Sequence, residues 1–409
     1  METKDKKEAL DDLVKELSEQ LIQGKPLSGQ DGVFTALLKR VIEASLEGEM
    51  DAHLKDQKGT ESNRRNGRGR KHIQSSLGGF EIFTPRDREG SYTPQTLKKR
   101  QRRIDSDIDA KILSLYSRGM SYRDIQTHLA DMYGVEVSAG TLSAITDRIL
   151  PEILDWQSRP LDSVYPVMWL DAMHFKVREH GKVVSKAVYS VLAVNTEGVK
   201  QVLGIYFGDM ESASFWRSVL HELQMRGVKD IFVACIDNLT GFGDAIEDLF
   251  PYTDVQLCLV HQMRNSLKYV NYKDYKAVSK DLRMVYTAYN EEAAKQYLEQ
   301  AELKWGPKYK VIFRSWHNNW DRLTNFYKYP PALRRIIYTN NPIESYHRMV
   351  RKVTKTKGAF SSENAIVKQI YLATINAQTK WSGTMYGWST VRRDLVDYFG
   401  DRFLTPDTL

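Results

Sequence analysis

The sequence predicts an α/β protein. Its centre is a mixed five-stranded sheet domain, interrupted by an all-helical stretch and preceded by helical regions. Three observations predict this. Between residues 164 and 262 the apolar period runs strand, strand, strand, helix, strand, helix, strand. Residues 273–333 carry a helical period with no strand pattern. The first 160 residues are helical in period apart from one segment rich in glycine and arginine.

A chain of 409 residues is long enough for two to four domains. With 42% apolar and 27% charged residues it reads as globular, not disordered. No apolar run approaches the ~20 residues of a membrane span. The opening "METKDKKEALDDLVKEL" lacks the apolar core of a secretion signal, so a cytoplasmic location is expected. Two cysteines, Cys235 and Cys258, do not make a disulfide framework. A net charge of +7 leans toward a polyanionic partner.

Residues 1–60 form the first helical region. Leu37, Leu38, Val41, Ile42, Ala44, Leu46 and Met50 keep close to helical spacing. A helical hairpin, a dimer contact and DNA binding are all open for it. Residues 61–104 are basic. Arg64, Arg65, Arg68, Arg70 and Lys71 cluster among glycines, and Lys98, Lys99, Arg100, Arg102 and Arg103 follow. One strand is expected between them, at Phe80–Thr84. Glycines let a backbone approach phosphate and arginines grip it bidentately, although many such runs are only solvated charge. Residues 105–160 read as two short helices around Gly134, which fits a helix-turn-helix. Ser121 with Asp124, and then Ser138, are the expected caps, and Ile125, Leu129 and Met132 the first apolar stripe. Thr141, Ser143 and Arg148 are the candidate groove residues.

Residues 161–272 hold the sheet. "VMWLDAMHFKV" is a buried strand broken by Asp171, and "DIFVACIDNL" is an apolar strand ending at Asp237. A buried carboxylate is costly unless something pairs with it. The order of elements matches the ribonuclease-H-like arrangement, in which the first and fourth strands are neighbours. That arrangement sets Asp171 beside Asp237. Two such carboxylates repel unless cations bridge them, and hard oxygen ligands suit Mg²⁺ or Mn²⁺.

Residues 273–333 read as a helical insertion in that fold, and 334–409 as its second part with the C-terminal region. In "NNPIESYHRMVRKVTK" Asn341 fits an N-cap and Pro342 the first helical position. Glu344, Arg348, Arg351 and Lys355 share one helix face, while Ile343, His347 and Val350 point elsewhere. An acid leading a basic stripe suits metal and phosphate together. Taken singly, Glu344 is also explained by a capping box and Asp237 by a strand-ending turn.

The run "DNLTGFGDAIEDLFPYTDVQLCLVH", Asp237 to His261, resembles the signature of mutator-type transposases of bacterial insertion sequences. Its Asp, its Gly-aromatic pair and its Gln256, Cys258 and His261 stand where that pattern has them, and Leu249 departs mildly from it. "RRNG" and "NPIES" resemble the family too. The resemblance implies a DDE transposase with Asp171, Asp237 and Glu344 as catalytic, metal-binding triad and two Mg²⁺ per site. It also implies a homodimer or larger homo-oligomer acting on double-stranded DNA at terminal inverted repeats. The implied route is copy-out, paste-in through a circular intermediate, with no covalent protein–DNA intermediate. His261 is then expected to contact DNA beside the metals, and Cys258 to be strand core. A structural zinc needs four ligands, of which the sequence offers two. Trp305, Trp316 and Trp320 are open between base stacking and helical core. A catalytically inactive DNA-binding repressor and a structure-specific nuclease on the same fold are the alternative functions.

Overall fold

The computed structural model describes residues 14–404, apart from 28, 30, 57–62, 76–77, 100, 103–106, 134, 209–211 and 339–340. Gly134, Arg100 and Arg103 therefore lie outside the described residues, as does the side chain of Asn341. The chain divides into two units, Met1–Arg148 and Ile149–Leu409. No described helix is long and apolar enough to cross a membrane.

In the first unit a helix at Val33–Asp56 precedes an antiparallel hairpin, β1 (Arg65–Ser75) and β2 (Gly78–Asp87). The hairpin corrects the expectation of a single strand at 80–84. The arginine run is itself a strand, paired from Arg68↔Pro85 to Ser75↔Gly78. Its outward positions are all polar, which hides the strand period from a sequence scan. Ile73, Phe80 and Ile82 bury against Ile42 and Leu46 of the helix, so this helix has its apolar partner within its own unit.

The chain leaves β2 through Asp87. Its buried carboxylate accepts from the Asn63 side chain at 3.0 Å and from the Ser91 backbone N–H and hydroxyl at 2.9 and 2.8 Å. Burial alone would raise its pKa, but these hydrogen bonds outweigh it and hold the carboxyl well below the usual range. A depressed folded-state pKa means the unfolded chain binds the proton first. The contribution is therefore complete above about pH 4 and is lost as pH falls further. Asp87→Asn is expected to flatten the acid-side fall of the urea midpoint by one proton's worth of slope. An unchanged acid limb would rule out this role.

Helices at Asp107–Ser117, Tyr122–Tyr133 and Ala139–Asp147 complete the unit. Ser121 and Asp124 form the reciprocal capping box: each backbone N–H donates to the other's side chain, at 3.0 and 3.2 Å. Ser138 caps the third helix, accepting from the Thr141 N–H at 3.1 Å. Ile125 and Leu129 are buried, but Met132 is exposed. The buried stripe is thus shorter than expected, ending at Leu129.

The second unit is built on a sheet of order β5-β4-β3-β6-β7. β3 (Val164–Glu179), β4 (Lys182–Val194) and β5 (Lys200–Gly208) form an antiparallel meander. β6 (Asp230–Ile236) and β7 (Asp254–Leu257) add in parallel on the other side of β3. All seven residues of β6 are buried, as a central parallel strand requires. The Ala213–Met225 helix lays Trp216, Val219, Leu220 and Leu223 on the core. Trp216 stacks on Phe242 of the next helix, Phe242–Leu249, with ring centroids 4.4 Å apart. Arg402 grips Asp230 bidentately at 2.9 and 2.8 Å, fastening the C-terminal turn to the start of β6.

Helices dominate residues 272–337, mainly Tyr272–Tyr286 and Glu291–Asn318. The long helix kinks where Pro307 removes a backbone donor and Tyr309 leaves helical φ/ψ. Gln256 pins this region to β7. Its amide donates to the Leu323 carbonyl at 2.9 Å and accepts from the Phe326 N–H at 2.9 Å. Trp316 is core, donating to the Ser266 hydroxyl at 3.0 Å. Trp305 and Trp320 are half-buried and donate to Asp281 and Glu291 at 2.8 and 3.0 Å.

Candidate active site

The parallel pairing of β3 with β6 sets the first two acids. The ladder runs Val167↔Val233, Met168↔Ala234, Trp169↔Cys235. The same offset carried two residues further would bring Asp171, in the middle of β3, level with Asp237, which directly follows the last residue of β6. A parallel ladder holds its register because every rung is fixed by evenly spaced backbone bonds.

Asp171 is 9% exposed. One carboxylate oxygen accepts from the N–H of Ala172 at 2.8 Å. The other lies 3.4 Å from Nδ1 of His347, itself 3% exposed. Burial pushes the His347 pKa down to about 3, helped by the charges of Arg351 and His261, so the ring facing Asp171 is neutral near pH 7. This answers what pairs with the buried acid, and it corrects the view of His347 as pointing away from the site. Ile343, His347 and Val350 line the inner face of the Asn341–Thr354 helix. Arg348, Arg351 and Lys355 are exposed and Glu344 is half-buried.

Asp237 contacts the His261 ring through Oδ1 and Nδ1. Cys258 is not strand core, as the sequence suggests, since β7 ends at Leu257. His261 lies in the first turn of a helix, Leu259–Leu267, whose N-cap is Cys258. The contact with Asp237 draws the His261 pKa up to about 10. Arg264 Nη1 lies 3.3 Å from His261 Nε2, to which its N–H can donate only while that nitrogen is unprotonated. The same guanidinium donates from Nη2 to Glu344 at 3.0 Å. Asp237 and Glu344 are thus linked through two side chains, and Asp171 is reached from the same helix, one turn later, through His347.

Sequence reasoning misses Arg264 and His347. The available signal for Arg264 is spacing, since it follows His261 by three residues on one helix, whereas His347 sits on the apolar inner face with Ile343 and Val350, where a sequence scan reads core.

A family model described as "Transposase, Mutator family" matches residues 6–384. The chain belongs to the Mutator family of transposases. It is similar to a probable transposase for the insertion sequence element ISRM3-like of Sinorhizobium fredii, at 41% identity over 95% of this chain and 98% of that one. A transposase for the element ISRM3 of Rhizobium meliloti is 40% identical over the same shares. A probable insertion sequence transposase of Corynebacterium diphtheriae is 43% identical over 72% of this chain and 86% of its own.

The other residues singled out in this Mutator-family transposase fall in different places. Arg64, Arg65, Arg68 and Arg70 are exposed on or beside β1. Arg65 pairs with Asp51 at 2.6 Å and also with Glu47, which Arg68 meets at 2.9 Å. Lys71 donates to the Lys98 carbonyl at 2.7 Å, while Lys98 and Lys99 are exposed. On the helix after Ser138, the Thr141 and Ser138 hydroxyls are 2.9 Å apart and Ser143 donates to Asp147 at 3.2 Å. Arg148 is paired with Asp109 at 2.6 Å.

Proposed function

We propose that the chain is a DDE transposase that binds the terminal inverted repeats of an insertion sequence and performs metal-dependent strand cleavage and strand transfer. Its catalytic domain, on this reading, is ribonuclease-H-like, interrupted by the helical stretch at 273–333. What supports the proposal is the β3–β6 register, which carried two residues on would set Asp171 level with Asp237, together with the contacts that join Glu344 to Asp237 through Arg264 and His261.

The donor set fits divalent Mg²⁺, with Mn²⁺ as substitute. Asp171, Asp237 and Glu344 offer hard carboxylate oxygens, and Arg264 and His261 already stand against two of them, as uncompensated acids in a half-buried site require. Two such ions, when bound, would supply Lewis-acid activation of water or a 3′-hydroxyl and stabilisation of the departing oxygen. The chain's own residues do the rest. The acids bind and orient. The hydrogen bond from Ala172 fixes the Asp171 carboxylate, and buried His347 excludes water from its inner side. Arg264 holds Glu344 toward Asp237 and is placed to turn its guanidinium to a phosphate.

Arg348, Arg351 and Lys355 extend from Glu344 along an exposed helix face, which supports a backbone-phosphate track leading from the acids. The basic hairpin, Lys98, Lys99, Arg100 and the helix bearing Thr141, Ser143 and Arg148 are the proposed DNA contacts of the first unit. The working form would be a homodimer or larger, acting by a copy-out, paste-in route on DNA in the cytoplasm.

Inverted-repeat DNA supplied already cut, with a free 3′-hydroxyl, tests the proposal. Joined product in Mg²⁺ is expected. Nicking of uncut ends without joining would make the protein a nuclease, and binding without either would make it a repressor.

A further inference from the structure

Three unlike ligand atoms meet beside the proposed catalytic carboxylates. A carboxylate oxygen of Asp237, the sulfur of Cys258 and a ring nitrogen of His261 all lie within 4.8 Å of one another. The fold accounts for the convergence. The Cys258 N–H donates to the Ile236 carbonyl at 2.8 Å, which seats Cys258 beside the end of β6 where Asp237 emerges. Cys258 is then the N-cap of the following helix, and its sulfur accepts the His261 N–H at 3.4 Å. One turn of helix thereby brings the imidazole back over the thiol and against the carboxylate. The Cys-x-x-His spacing alone supplies two ligands, and only the sheet register supplies the third.

The chemistry of this trio is not that of magnesium, which takes oxygen ligands and leaves thiols alone. Sulfur, imidazole and carboxylate are the ligands of zinc, at about 2.3, 2.0–2.1 and 2.0–2.2 Å. Tetrahedral binding at those lengths sets ligand atoms roughly 3.4 Å apart, so small side-chain adjustments suffice. Three protein ligands with a fourth position open describe an exchangeable site, not a closed structural one.

We propose that Asp237, Cys258 and His261 form a binding site for a zinc-class divalent ion, and that the ion holds Asp237 away from Mg²⁺ and so keeps the enzyme inactive. The thiol proton is released to solvent on binding. The inhibitory half rests on the reading of Asp237 as a magnesium ligand, while the binding half does not.

The test uses the full chain in magnesium-free buffer with Co²⁺ as the probe. The expected result is one cobalt per chain, with a thiolate-to-cobalt charge-transfer band in the near ultraviolet that Zn²⁺ abolishes by displacement. The band should vanish in Cys258→Ser and persist in Cys235→Ser, the control for the other buried cysteine. Circular dichroism melts establish that the variants fold. Should Cys258→Ser not fold, Asp237→Asn replaces it, and its expected effect is Zn²⁺ binding at least about tenfold weaker. No thiolate band in the parent protein, a band surviving Cys258→Ser, or unaltered Zn²⁺ affinity in Asp237→Asn would overturn the site. Zinc that fills the site should abolish Mg²⁺-supported strand joining, and joining that continues with the site filled would overturn the inhibitory half. Failure to join strands in Mg²⁺ without zinc would instead count against the transposase reading, and the cobalt spectrum would still decide the site.

Discussion

Asp171→Asn, Asp237→Asn and Glu344→Gln each lower cleavage and joining of element ends by at least about a thousandfold, roughly 4 kcal/mol of barrier, while end binding is retained. The substitutions keep shape and remove charge. In Asp171→Asn the new amide oxygen still accepts the Ala172 N–H, so the β3 backbone has no reason to move. In Glu344→Gln the side-chain carbonyl still accepts from Arg264. What disappears is the negative oxygen that a divalent ion requires. Cleavage in Mg²⁺ and gel-shift binding of uncut ends, measured on the same preparations, separate the two effects. Normal nicking by any one of the three variants would sink the triad.

The second large effect concerns the basic hairpin. Each phosphate contact contributes about 0.9 to the log–log salt slope on duplex DNA, so replacing Arg64, Arg65, Arg68 and Arg70 with Ala flattens it by up to about 3.6. The four are not equivalent. Arg65 and Arg68 are held by Glu47 and Asp51, and those pairs must open before either guanidinium turns to DNA. Replacing Arg64 and Arg70 alone should therefore recover most of about 1.8 units, with the other two adding less than their share. Binding isotherms across a salt series check this. A slope unchanged by all four replacements would put the hairpin off the DNA.

The sheet is legible in the sequence because a central buried strand such as "DIFVACI" carries its own period, and because three strands in succession leave few ways to close a meander. The hairpin is not, since β1 buries little more than Ile73 and spends its outward positions on arginines. The caps at Ser121 and Ser138 are legible because they act within four residues. His347 escapes a sequence reading for the opposite reason: its partner, Asp171, is 176 positions away in the chain, and no local pattern reports such a neighbour. Cys258 reads as strand core, yet β7 ends one residue earlier than the apolar run implies.

By itself the sequence determined which acids lead which elements, where the helices begin, and that the chain resembles a transposase. Local propensity and apolar period suffice for those. Only the tertiary structure decided that His261 turns onto Asp237, that Arg264 bridges to Glu344, and that half of the basic run is already paired. Those are contacts between side chains far apart in the chain, and their geometry is fixed by strand register and helix packing, which no short stretch of residues encodes.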